Sequence, residues 1–238
     1  MTRRLLGGPL AAGLALLLTV GSGCSLLEGN DEPGADPSTS PSTEQTERAY
    51  ESQFTRDGTF QSHIDINGVD FVYTLYPTKA TPRTNEWYPR GNKFFTVTLQ
   101  AYDLDRGLRD PFSTKRLVYL DKIRATSVTR TTEGRGNQRP YSLDAEARRV
   151  TFDPEPVATR YGMLITSPKG SLELRNQRIR PMSLDTRGVE LKFTATVWIQ
   201  ESPGSKRFYK RQIRQTVPIA IFESDKPTAV ASIPINSN

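Results

Sequence analysis

Residues 189–200 read VELKFTATVWIQ. Val189, Leu191, Phe193, Ala195, Val197 and Ile199 alternate with Glu190, Lys192, Thr194, Thr196, Trp198 and Gln200. A period of two sends successive side chains to opposite sides of an extended chain, so this run predicts a strand with one face in a core and one in water. Ser202-Pro203-Gly204-Ser205 then turns the chain into a partner around Phe208–Val217. Upstream, residues 59–66 and 69–76 flank Asn67-Gly68, the strongest short hairpin signal. Residues 94–102 alternate in the same way. Shorter strands are expected at 117–128, 148–153, 160–166, 171–175 and 219–223. No apolar stripe of helical spacing outlasts a turn or two. The expected fold is therefore all-β: an immunoglobulin-like β-sandwich of mostly antiparallel strands over residues 58–225, with a C-terminal tail at 226–238. Pro154-Glu155-Pro156 marks the alternative, a break between two small β domains.

The composition removes much chemistry. The chain has 238 residues, with one Cys and one His among them. That leaves no disulfide framework, no Cys/His zinc site and no Cys–His catalytic pair. The only histidine, His63, falls in a strand between Ser62 and Ile64 and reads as a solvated strand residue. Beyond residue 24 there is neither a Gly-x-Ser-x-Gly elbow nor a Ser-x-x-Lys pair. No catalytic residue, cofactor or metal is expected, although two carboxylates converging in space would escape a sequence reading. Residues 102–110, YDLDRGLRD, hold an Asp-x-Asp ahead of a glycine, as calcium loops do. They lack the third ligand and the closing Glu, and Arg106 and Arg109 stand ready as internal partners, so a salt-bridged turn is the simpler reading.

The N-terminus carries an address. Arg3 and Arg4 precede an apolar run, Leu5–Val20, which Gly7, Gly8, Pro9 and Gly13 interrupt. At 16 residues it is short for a bilayer span, which takes about 20, and fits a secretory leader. Gly21-Ser22-Gly23 leads directly into Cys24. This segment resembles the lipobox of bacterial lipoproteins, with Gly21 where that family usually has an apolar residue. The resemblance implies removal of residues 1–23, acylation of the Cys24 thiol with palmitate-type chains, and anchoring in membrane lipid. The protein would then be exported and held on the outer face of the cytoplasmic membrane. Thr2-Arg3-Arg4-Leu5-Leu6 is also a partial twin-arginine signal, so export through either general route is open. Residues 24–57 follow as an acidic, Pro/Ser/Thr-rich tether, disordered by composition, with a short helix expected within 44–54.

Charge is divided along the chain. Residues 24–50 hold six acidic groups against Arg48, whereas residues 51–238 hold 29 Lys and Arg against 20 Asp and Glu. The displayed domain is basic. Arg130, Arg135 and Arg139 punctuate a glycine-containing loop, and Lys206, Arg207, Lys210, Arg211 and Arg214 gather around the last hairpin. Guanidinium forks match phosphate and carboxylate groups, so these eight residues are candidate anion-binding groups. The plainer reading is a solvated surface that keeps strand edges unpaired. No nucleic-acid module is visible, and nucleic acid is not the expected partner. A second candidate is loop 77–92, where Trp87, Tyr88 and Arg90 could stack on a sugar or small ligand, or could fold back to cap the core. Together these features predict a non-enzymatic binding or assembly module at the cell envelope. Its partner would be an envelope protein or an anionic wall polymer; the alternative is a carbohydrate- or small-ligand-binding lipoprotein using the Trp87/Tyr88 loop.

Overall fold

The computed structural model describes residues 52–78, 84 and 87–223. The leader 1–23, Cys24, most of the tether 24–57 and the tail 226–238 lie outside the described residues. Helix α1 (Gln53–Asp57) comes first, followed by strands β1 (Phe60–Ile66), β2 (Val69–Pro77), β3 (Lys93–Asp103), β4 (Val118–Thr131), β5 (Gly134–Arg135) and β6 (Ser142–Glu146). A one-turn helix α2 (Ala147–Val150) precedes β7 (Ala158–Thr159), β8 (Gly162–Leu164), β9 (Leu172–Ile179), β10 (Thr186–Gln200) and β11 (Phe208–Ala220).

The Asn67-Gly68 turn shows why the first hairpin forms. Both residues take positive φ, 54° and 76°, the twist that suits a two-residue turn between antiparallel strands. The Gly68 amide donates to Asp65 Oδ1 at 2.8 Å, and Ile66 then faces Val69 in register. β3 and β9 extend this hairpin into a four-stranded sheet ordered β1-β2-β3-β9. The second sheet has seven strands along β11-β10-β4-β8-β7, with β5 and β6 also paired to β4. The named strands all pair antiparallel, and one isolated parallel bridge joins Ala101 of β3 to Thr166. A two-sheet, all-β sandwich is thus what forms. Its order opens with a three-strand meander in one sheet, which differs from the immunoglobulin pairing of first, second, fifth and fourth strands.

The alternation of β10 holds as expected. Val189, Leu191, Phe193, Ala195, Val197 and Ile199 are all buried. Phe193 meets Tyr73 of the opposite sheet with ring centroids 6.1 Å apart, and this inter-sheet layer is the core. Gln200 is the exception to the pattern. It turns inward, where its Oε1 accepts from the Leu117 amide at 2.9 Å and its amide donates to Ser205 O at 2.7 Å.

Two stitches close the sandwich. Residues 165–167 run between the sheets: the Ala101 amide of β3 donates to Ile165 O at 2.8 Å, and the Ile165 amide donates to Val118 O of β4 at 2.9 Å. At the other stitch, Ser52 caps α1 by accepting from the Thr55 amide and donates its hydroxyl to Pro218 O of β11 at 2.7 Å. The Ala220 amide donates in turn to Thr55 Oγ1.

Some expected strands are otherwise. Residues 148–153 form no strand, because Ala147 is drawn into the core and the chain coils into α2, with Arg148 and Arg149 both on Glu146. Residues 221–223 are not strand: the Ile221 amide makes a last bond to Arg187 O of β10 at 3.0 Å, and the Phe222 amide donates to Trp87 O at 2.7 Å. The helix expected within 44–54 begins at Gln53, with residues 44–51 outside the described residues. No domain boundary falls at Pro154–Pro156: the Phe152 amide donates to Glu173 O, the Leu164 amide donates to Val157 O, and the described residues all fall in one compact unit.

Candidate functional site

The solvent face of the seven-stranded sheet is written by register. On β10, Lys192, Thr194, Thr196 and Trp198 point away from the core, opposite Phe193, Ala195 and Val197. Pairing sets their neighbours. Thr194 lies between Arg124 and Arg214, Thr196 between Lys122 and Gln212, and Trp198 between Tyr119 and Lys210. Adjacent strands are about 4.8 Å apart, so Arg124 and Arg214 flank a short threonine with their backbones about 10 Å from each other. A low floor between two raised cations is the result.

At one end this face becomes a groove of about 530 Å³ lined by Arg124, Lys192, Arg135, Arg139, Thr126 and Asn137. The loop that brings in Arg135 and Arg139 is tied down. Thr129 O accepts from the Gly136 amide at 2.8 Å, and Thr129 N donates to Gln138 O at 3.2 Å. A Cβ on Gly136 would come within 2.2 Å of Thr129 Oγ1, so only glycine permits this approach. Among the described residues Arg124, Arg135, Arg139 and Arg214 form no ion pair, while Lys192 reaches Glu190 at 3.4 Å.

The other end is aromatic. Tyr161, in the turn between β7 and β8, lies 4.5 Å from Phe208 and 5.2 Å from Trp198 by ring centroids. Tyr119 sits 5.8 Å from Phe208. Trp198, Tyr161 and Phe208 are half-buried. Two cations lie over the patch: Lys210 Nζ is 5.3 Å from the Trp198 centroid and 3.7 Å from Asp121, and the Arg160 guanidinium is 4.8 Å from the centroid of Tyr161.

The eight expected anion-binding residues therefore divide. Arg135 and Arg139 line the groove, and Lys210 and Arg214 share its face. Arg130 is committed to Glu190, its Nε donating at 2.9 Å, and Arg207 pairs with Glu201 at 2.7 Å. Lys206 is exposed in the last hairpin turn. Arg211 pairs in register with inward-facing Val197, so it stands on the opposite side of β11, beside the Tyr209 ring. Lys122, Arg124, Lys192, Arg160 and the Trp198 patch were missed. The period-two pattern already placed Lys192 and Trp198 on the polar side of β10; only the cross-strand register was out of reach.

The Trp87 loop is a correction. Trp87 is fully buried, its ring 5.4 Å from Phe54, and Tyr88 is buried beside it. Of that candidate trio only Arg90 is exposed. Lys93, itself buried, donates to the carbonyls of Tyr88, Pro89 and Gly91 at 2.9, 2.9 and 2.7 Å, which folds the loop inward. Burial, and then the Arg178 charge, push its ammonium down to about 8. With both rings inside the domain, neither Trp87 nor Tyr88 offers a stacking surface.

The acidic turn is a salt-bridged one, though its partner is Arg116 rather than Arg106 or Arg109. The Arg116 guanidinium reaches both Asp103 and Asp105 and also donates to Asn67 O and Gly68 O. Burial disfavours the Asp103 charge, but the Arg116 side chain and amide outweigh it and hold the carboxyl below its ordinary value. No cluster of three or more His, Cys, Asp or Glu suited to a metal occurs among the described residues. His63 lies half-exposed over the other sheet, with Nδ1 2.7 Å from Asp70 Oδ2. Compared with known proteins, the chain matches no family model and no curated sequence.

Proposed function

We propose that this protein is an exported lipoprotein, anchored through acylated Cys24, whose basic sandwich is a non-enzymatic binding module for an anionic polymer of the cell envelope. The observation that carries the binding reading is the groove: Arg124, Arg135 and Arg139 converge on it without an ion pair of their own among the described residues. Asp144 stands opposite Arg124 across the β4–β6 pairing without an ion pair among the described residues, and where like charges gather an anion relieves their repulsion while accepting guanidinium hydrogen bonds. The anchor rests on the sequence alone, on Gly21-Ser22-Gly23-Cys24 behind a short apolar leader.

The test uses the full chain in detergent. Oligogalacturonate and inorganic polyphosphate should both bind at low ionic strength and release in about 1 M salt, where charge interactions are screened beyond about 3 Å. Replacing Arg124, Arg135 and Arg139 together by alanine should abolish that binding. Equal retention of both polyanions by the triple variant would end the proposal. Separately, Cys24→Ser should move the protein from the membrane to the soluble fraction. A variant that stayed with the membrane would remove the anchor.

A further inference from the structure

We infer that the polymer is an acidic glycan, with its charged groups in the arginine groove and one sugar ring stacked on the Trp198 patch. This rests on the binding reading above and names its ligand. Lys192 and Trp198 are six residues apart on one face of a single strand, about 20 Å at strand rise. The groove and the aromatic patch are thus two ends of one straight track.

Three properties of the track select a glycan. Its floor is neutral and rich in hydroxyl and amide groups: Thr126, Thr194, Thr196, Thr216, Gln212 and Asn137. Such groups both donate to and accept from sugar hydroxyls, whereas a polyphosphate can only accept and leaves their acceptor oxygens unused. The aromatic end is one joined platform, with Tyr161 brought in from another hairpin to lie against Trp198 and Phe208. A single platform takes one ring of a chain, whereas proteins that hold single-stranded nucleic acid stack successive bases on successive aromatics. Lys210 lies over the Trp198 ring and Arg160 over that of Tyr161, with Lys210 also reaching Asp121 at 3.7 Å; a sugar ring that takes their place can itself be acidic and keep these flexible cations beside it. Sugar C–H groups pack against the electron-rich ring face, and these cations take the carboxylate or phosphate at its edge.

The chain's two tryptophans make the experiment direct, since Trp87 is fully buried and Trp198 is not. The full-length protein is titrated with oligogalacturonate, inorganic polyphosphate, a neutral oligosaccharide and oligodeoxythymidylate, with emission followed throughout. Oligogalacturonate should shift or quench the Trp198 component and protect it from iodide, leaving Trp87 as an internal reference. Trp198→Ala should weaken oligogalacturonate roughly tenfold, as expected for loss of one stacking contact, and leave polyphosphate unchanged. Trp198→Phe should recover part of the loss, and unchanged Trp87 emission in both variants reports an intact fold. If oligogalacturonate binds without any Trp198 response, and Trp198→Ala binds it as tightly as the parent, the glycan assignment is wrong while anion binding stands. Tighter binding of oligodeoxythymidylate overturns it in favour of nucleic acid. Failure of every polyanion to bind overturns the underlying reading as well.

Discussion

Trp87 and Trp198 lie in sequence settings that invite opposite guesses. Trp87 belongs to a long polar loop, yet it is sealed against Phe54 and held by Phe222. Trp198 belongs to an inner strand of a sheet, yet it faces out among Tyr119, Tyr161 and Phe208. The difference is one of what sets side-chain direction. In a strand the backbone dictates it residue by residue, so parity alone sends Trp198 to the face opposite Val197 and Ile199. In a loop no such rule operates, and burial wins wherever the ends of the chain leave a hole that a large ring can fill.

Substitutions at the two positions should separate most widely. Trp87→Ala removes a wholly enclosed ring and should cost about 3–5 kcal/mol, read from urea unfolding. Trp198→Ala should cost about 1 kcal/mol, within the ordinary range for point changes. If the order were reversed, the outer patch would be structural and Trp87 dispensable. Nearly as large is the expected loss at Arg116, another inward-turned group next to an exposed loop. Arg116→Met leaves Asp103 buried without its counter-charge, which should cost about 3 kcal/mol or more.

The pH dependence of that pair has a definite sign. Asp103 has a depressed folded value, so its contribution is complete above the ordinary carboxylate range and is lost as pH falls through the folded value. The acid limb of stability should therefore be steeper in the parent than in Arg116→Met, as acid titrations followed by circular dichroism would reveal. Parallel limbs would exclude this pair as the source.

Smaller still on stability is the outer face. Arg124→Ala, Arg135→Ala and Arg139→Ala together should shift unfolding by about 0.5 kcal/mol per site or less, because none surrenders an ion pair seen in the structure. Their effect should appear in polyanion binding instead. Tyr73→Phe refines the inward side of the comparison. Tyr73 is as enclosed as Trp87, but its hydroxyl finds no partner among the described residues, and burial raises its ionisation above the usual range. Removing that oxygen should be neutral or stabilising by up to about 1 kcal/mol. A clear loss in calorimetry would mean the hydroxyl has a partner after all.

These cases show what could be read before any coordinates. Strand identity and facing at β10 followed from period two, and the first hairpin from Asn67-Gly68. The basic face was half legible. Lys210 and Arg214 were found as a cluster near one turn, but Arg124 joins them only because Thr194 pairs with both neighbours. Register is a long-range property, fixed where one sheet face meets the core, and charge clustering along the chain is blind to it. Arg211 shows the cost of that blindness, since one step along β11 carries it off the face that Lys210 occupies. The fate of Trp87 depended on Phe54 and Phe222, neither of which is local to its loop.

The clasp between Ser52, Thr55 and β11 has a mechanical side. Tension arriving from the direction of a membrane leash would meet Ser52 first and pass through its hydroxyl and Thr55 to Pro218 and Ala220. That strand is bonded to β10 along its whole length, from Gly188–Ala220 to Gln200–Phe208. A tug would thereby be handed to the longest unbroken ladder among the described strands instead of to the Asn67 hairpin, and the outer face of that ladder would keep its shape under load.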